Sequence, residues 1–273
     1  MAVDRMVLAA ARRAGEATGV DPAVLLAVAL VETRAVALAV FDGRAEPLIR
    51  FEGHYFDRLL AEPARQRARA GGLAHPRAGA VANPAAQSAR WRLFERAAAI
   101  DDAAAIAATS WGLCQVMGAH WQALGYDSPA ALRQAARTSA DGQFTLGARF
   151  LKLGHLDRRL ADGDHAGFAR RYNGPAYKRN RYDEKIAAAW REAGRLLAAP
   201  AAAATLARGA RGEAVRHLQA SLRQHGHALA VDGLFGPLTE AALRAFQHAA
   251  CLPATGIADA ATLARLARPP APR

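Results

Sequence analysis

One glutamate stands where a carboxyl group can do proton chemistry. Glu32 follows the unbroken apolar run Val24-Leu25-Leu26-Ala27-Val28-Ala29-Leu30-Val31. Desolvation disfavours the charged form of a carboxyl group and raises its pKa. A raised pKa is what lets a carboxylic acid deliver a proton near neutral pH. Taken alone, a glutamate at a helix end is ordinarily a solvated surface charge, so Glu32 needs partners before it counts. Histidine offers less. His225-Gly226-His227 is the only close pair and no His-Glu-x-x-His run occurs, so no metal site and no cofactor are expected.

The elements that must position Glu32 are legible around it. Asp21-Pro22 reads as an N-cap followed by a proline at the first helical position, where the missing N–H costs nothing. The helix that follows is apolar on all sides, so it should be central and surrounded by protein. Between Phe41 and Ile49, Asp42-Gly43 and Pro47 predict a tight turn or small hairpin. Residues 62–90, with prolines and glycines among arginines, read as a long irregular loop bordering a substrate cleft. Helical patterning resumes at Trp91 and runs, with breaks, to about Ala198. Alanine, leucine and arginine dominate while β-branched residues are sparse, which favours a mainly α fold.

The length of 273 residues calls for two domains. The alanine-rich, proline-interrupted stretch 198–205 reads as a linker. It divides a first domain at 1–197 from a second at 206–268, and the proline-rich end at 269–273 reads as a disordered tail.

The formal charge of +12 is attractive to polyanions, among them nucleic acid, anionic membranes and the bacterial envelope. It is carried almost wholly by dispersed arginine, with lysine only at Lys152, Lys178 and Lys185, the pattern of solvated helix faces. No aromatic-basic platform marks a nucleic-acid partner, and no apolar run approaches the roughly 20 residues of a membrane span. Cys114 and Cys251 lie one in each proposed domain and are expected to be reduced, buried thiols. The N-terminus makes a poor signal peptide, so accumulation in a host cytoplasm is the expectation, with a monomer as the working state.

Three constellations occur in order in the first domain: Val31-Glu32-Thr33, Ser110-Trp111-Gly112-Leu113-Cys114-Gln115-Val116-Met117-Gly118, and Arg171-Tyr172-Asn173-Gly174-Pro175. The trio resembles goose-type lysozymes and lytic transglycosylases. Asp42-Gly43-Arg44 and Phe51-Glu52-Gly53-His54-Tyr55-Phe56 add a likeness to the phage-type N-acetylmuramidases over roughly residues 15–195. Thr33 and Cys114 depart from the residues usual in those relatives. The second domain is similar to the three-helix peptidoglycan-binding module, through Gly209, Leu218-Gln219, Asp232-Gly233, Phe235-Gly236, Phe246-Gln247, Gly256 and Thr262 among others.

The resemblance implies a lysozyme-like helical domain with a small hairpin, followed by a three-helix wall-binding domain. It also implies an endolysin that cuts the MurNAc-GlcNAc backbone of peptidoglycan. Glu32 becomes the general acid on this reading. A second carboxylate is required for hydrolysis, and Glu52 is preferred over Glu46 and Asp42, a structural ion pair with arginine being the alternative for Glu52. Ser110, Gln115, Tyr172 and Asn173 are placed on the saccharide, against the alternative that Gln115 satisfies buried backbone and that Tyr172 and Asn173 cap a helix. Trp111 and Trp121 are expected in the core rather than against sugar. The competing activities are a lytic transglycosylase giving 1,6-anhydro ends and a non-catalytic wall-binding or virion protein.

Overall fold

In the computed structural model, residues 3–198 and 205–266 are described. The chain divides into two compact units on either side of Ala198 and Ala199. Most of the stretch expected as a linker (199–204) and all of the expected tail (269–273) fall outside the described residues.

The first unit opens with α1 (Arg5–Thr18) and α2 (Pro22–Thr33). The Asp21 side chain accepts from the Ala23 N–H, and Pro22 occupies the first turn. Val24 to Ala29 are fully buried, because α2 is covered by α1 on one side and by the last helix of the unit on another. The helix stops where Arg34 and Ala35 both turn left-handed, at φ 55° and 58°. Neither is glycine, so each costs on the order of 1 kcal/mol of backbone strain. Glu32 is thereby held in the final helical turn.

A two-stranded hairpin follows, β1 (Leu38–Phe41) and β2 (Arg44–Pro47), with Phe41 paired to Arg44. The connecting Asp42-Gly43 has φ of 49° and 77°, the double positive φ that matches the twist of a tight hairpin. A second sheet orders β3 (Ile49–Phe51), β4 (Thr109–Trp111) and β5 (Val116–Met117), all antiparallel. Trp111 is fully buried and meets Trp91 and Phe94 edge to face.

Between β3 and β4 run α3 (Gly53–Leu59), α4 (Ala64–Ala70), α5 (Gln87–Ala98) and α6 (Asp102–Ala107). The long loop expected at 62–90 is thus interrupted by a helix and shorter than expected. Ala64–Ala70 is alanine and arginine with one glutamine, all strong helix formers, and only about 71–86 stays irregular. Nor does the segment border the cleft. It covers the outer edge of β3: Asn83 exchanges two hydrogen bonds with the Phe51 backbone, Gln87 accepts from Ile49 N–H at 3.0 Å, and Arg90 donates to the Ile49 carbonyl. An edge strand needs its backbone groups satisfied, and side chains do that here.

The unit closes with α7 (Pro129–Thr138), α8 (Ala140–Leu153), α9 (Leu156–Ala161), α10 (His165–Tyr172) and α11 (Tyr182–Ala198). Helix α11 packs along α2, and α8 packs along α1. Gly147 lets α8 approach the β4–β5 turn, since a Cβ there would lie 2.4 Å from Cys114 Sγ.

The second unit holds α12 (Glu213–Gln224), α13 (Pro237–Ala249) and α14 (Ala260–Leu266) around Val215, Leu218, Leu222, Phe235, Leu243 and Phe246. It is built twice over. Gln219 on α12 accepts from Gly233 N–H at 2.9 Å and donates to Thr239 Oγ1 at 3.0 Å. Gln247 on α13 does the same with Gly256 and Thr262, at 2.9 and 3.0 Å. Both glutamines are buried, so these bonds are what make the two turns compatible with a dry core. Cys251 departs from expectation: it is exposed in the turn after α13, while Cys114 is buried, and both are free thiols.

Candidate active site

Glu32 opens onto a cavity of about 670 Å³. Its walls come from the end of α2, the β3–α3 junction, the β4–β5 hairpin, and the ends of α8 and α10. Glu52, Ser110, Gln115, Tyr172 and Asn173 line the same space. Segments as far apart in sequence as 32 and 173 are therefore brought to one hollow.

The Glu32 carboxyl is half-buried, and burial is the largest influence on it, pushing its pKa above the ordinary carboxylate value. Two groups oppose that push. Tyr182 Oη donates to Oε1 at 2.5 Å, and the Arg50 guanidinium adds a favourable field. Tyr182 is a residue that sequence reasoning missed. It begins α11, beyond every motif that drew attention, and only the packing of α11 on α2 delivers it to Glu32. Burial also drives the Tyr172 and Tyr182 hydroxyls well above their usual range, so both remain protonated donors. Their rings stack at 6.2 Å, with Phe168 stacked behind Tyr172 at 5.1 Å.

Glu52 sits at the start of α3 without capping it, which leaves its carboxylate facing the cavity. Arg50 Nε donates to one oxygen at 2.7 Å, and His54 Nδ1 lies 3.5 Å from the other. The other carboxylates considered lie elsewhere. Glu46 is buried against Arg137 in a two-pronged ion pair, and Asp42 is in the β1–β2 turn 3.4 Å from Arg92. Both border a separate hollow of about 220 Å³.

The polar residues are held in different ways. Gln115 is left-handed at φ 45°, and its amide nitrogen donates to the carbonyls of Leu48 and Gly112 at 3.0 and 2.9 Å. Its amide donors thus serve the backbone, and the carbonyl oxygen is what it offers to a ligand. Tyr172 Oη donates to the Cys114 carbonyl, bracing the β4–β5 turn. Ser110 Oγ donates to Met117 Sδ at 3.3 Å rather than to Glu32. Asn173 is exposed and 3.5 Å from Asn180 Oδ1. Behind the turn, buried Gln143 accepts from Leu113 N–H and donates to the Ala37 and Ala136 carbonyls. Thr33 Oγ1 lies 3.2 Å from the Leu113 carbonyl, within donating reach. Trp111 and the partly buried Trp121 pack in the core and do not line the cavity.

The sequence model of the family described as N-acetylmuramidase matches residues 21–194. The chain belongs to the N-acetylmuramidase family. That match contains every wall of the cavity. A second model, described as a putative peptidoglycan binding domain, matches residues 211–266. The crystal structure of Burkholderia AP3 phage endolysin is similar at a TM-score of 0.58 and 33% identity, covering 69% of this chain and 71% of that one. A curated relative, the zinc D-Ala-D-Ala carboxypeptidase of Streptomyces albus G, is 48% identical over 65 residues. The match spans only 26% of that protein and 23% of this chain, so it bears on a module and not on the catalytic unit as a whole. A muramidase unit followed by a peptidoglycan-binding one makes the chain a peptidoglycan hydrolase. No described helix is long and apolar enough to cross a membrane.

Proposed function

We propose that the chain is an endolysin-type glycosidase that cuts the MurNAc-GlcNAc backbone of peptidoglycan, with Glu32 as the general acid. The observation that carries this reading is the Glu32 carboxyl itself, held protonated to higher pH by burial and facing a cavity it shares with Glu52. Cleavage of a glycosidic bond needs a proton delivered to the leaving oxygen while positive charge builds on the sugar ring. Glu32 supplies the proton. Tyr182 receives the resulting carboxylate, because its hydroxyl already donates to Oε1 and a hydrogen bond to the charged form stabilises it. Glu52, oriented by Arg50, is the second carboxylate that stabilises the ring or directs water. Gln115 Oε1 and Asn173 orient the saccharide beside it, with Ser110 and Tyr172 forming the adjacent wall. A cavity of about 670 Å³ falls within the range for specific ligand sites.

The deciding experiment digests purified sacculi with the wild type and with Glu32→Gln, then analyses the released muropeptides by mass spectrometry. Reducing MurNAc ends from the wild type and none from the variant support the proposal. Anhydro ends would make it a lytic transglycosylase, and no release by the wild type would make it a wall binder. Accumulation in the host cytoplasm before lysis belongs to the same proposal and is checked by cell fractionation.

A further inference from the structure

Resting on that reading, we propose that Arg171 is a specificity-determining residue that recognises a carboxylate on the lactyl-peptide substituent of the muramyl sugar. The cavity wall carries two arginines, Arg50 and Arg171. Arg50 is engaged by Glu52. Arg171 is exposed, lines the cavity and has no acidic partner among the described residues. His120, on the same wall, is held toward its neutral form by burial. Arg171 is thus the wall's unpaired full cation among the described residues.

Its surroundings fit the substituent rather than the sugar. Phe150 and Leu153 at the end of α8, Gly154, and Leu156 at the start of α9 line the cavity beside it. Leu153 is 53% exposed. Sugar rings call for hydroxyl-matched polar groups, and Gln115 and Glu52 bring such groups from other segments of the wall. An apolar surface ending in a guanidinium suits methyl groups followed by a carboxylate, which is the chemistry of a lactyl-alanyl-glutamyl chain. Guanidinium presents a planar fork that matches a carboxylate in two-pronged fashion, which an ammonium does not.

The test measures kcat and KM of the full chain on three soluble glycan strands. The first bears native stem peptides, the second bears the same stems with their carboxylates amidated, and the third is stripped of stems and keeps only the lactyl carboxylate. Wild type should prefer the native strand over the amidated one by about fivefold in kcat/KM, the scale of a solvent-accessible ion pair. Arg171→Gln should bring that ratio to about one through KM, and Arg171→Lys should keep part of it. A preference for native over stripped strands supports a stem carboxylate as the contact, whereas a preference for stripped strands, the ones whose lactyl carboxyl is free of the amide bond to the stem, overturns that assignment. An unchanged native-to-amidated ratio in Arg171→Gln overturns the inference, as does an equal loss on every strand. If wild type cuts none of the three strands, the glycosidase reading fails instead, so the two failures are distinct.

Discussion

Replacing Tyr182 by phenylalanine removes one oxygen and keeps the ring that stacks on Tyr172 at 6.2 Å. The lost hydroxyl donates to Glu32 Oε1, and that bond favours the charged carboxylate. Burial already holds the Glu32 pKa above its ordinary value, and the hydroxyl works against burial. Its removal should therefore carry the pKa further up. A hydrogen bond to a charged group contributes about 1.5–3 kcal/mol. Glu32 borders an open cavity, where water recovers part of the loss, so the lower end applies. About 1.4 kcal/mol changes the balance between the two protonation states roughly tenfold. A general acid works only while protonated, so the alkaline limb of kcat/KM against pH should move to higher pH. On that limb, activity relative to each enzyme's own maximum should be about tenfold greater in Tyr182→Phe. The maximum itself should fall, because a weaker acid transfers its proton less readily. Initial rates on soluble glycan strands across the pH range read both effects. A limb that stays put or moves toward acid would refute the assignment of Glu32 as acid and of Tyr182 as its partner.

Glu32→Gln should abolish lysis yet melt no lower than wild type at neutral pH. A carboxyl whose folded pKa is raised contributes stability that is present at low pH and lost as pH rises through that pKa, so calorimetry should show the variant's advantage growing from acidic to neutral pH. Arg137→Ala leaves buried Glu46 without its ion pair; because Arg137 is itself partly exposed, the cost should be about 2 kcal/mol in denaturant unfolding, below the 3–5 kcal/mol typical of a fully buried pair. Gly147→Ala drives a Cβ to 2.4 Å from Cys114 Sγ and should destabilise the first unit by about 1–3 kcal/mol. Adding Cys114→Ala should return part of that loss, a coupling read from a double-mutant cycle.

Local pattern decided a good deal of this protein. Asp21-Pro22 started α2, the unbroken apolar run buried it, and Asp42-Gly43 turned the hairpin, because each depends on residues adjacent in the chain. The spacing of Val215, Leu218 and Leu222 likewise marked a buried helix face, and of the two glycines near Asp232 and Phe235 that suit positive-φ turns, Gly233 is left-handed at 76° whereas Gly236 is extended at −93°. Local pattern misled where a segment's role was set by its neighbours in space. Residues 62–90 looked like a cleft-bordering loop, but Ala64–Ala70 is helix and Asn83, Gln87 and Arg90 cover the β3 edge, a demand invisible until β3 is paired on one side only. Glu52 was preferred over Glu46 and Asp42 through its family-like Phe51-Glu52 unit alone, and folding put it in the cavity and the other two outside it. Tyr182 lay outside every motif, and Arg171, though it opens the third constellation, was given no role by it. Tyr182 faces Glu32 because α11 packs on α2, and Arg171 lines the cavity without an acidic partner among the described residues. Hydrogen bonds and fields act over a few ångströms of space, whereas motifs measure distance along the chain; for groups 150 residues apart the tertiary structure alone connects the two.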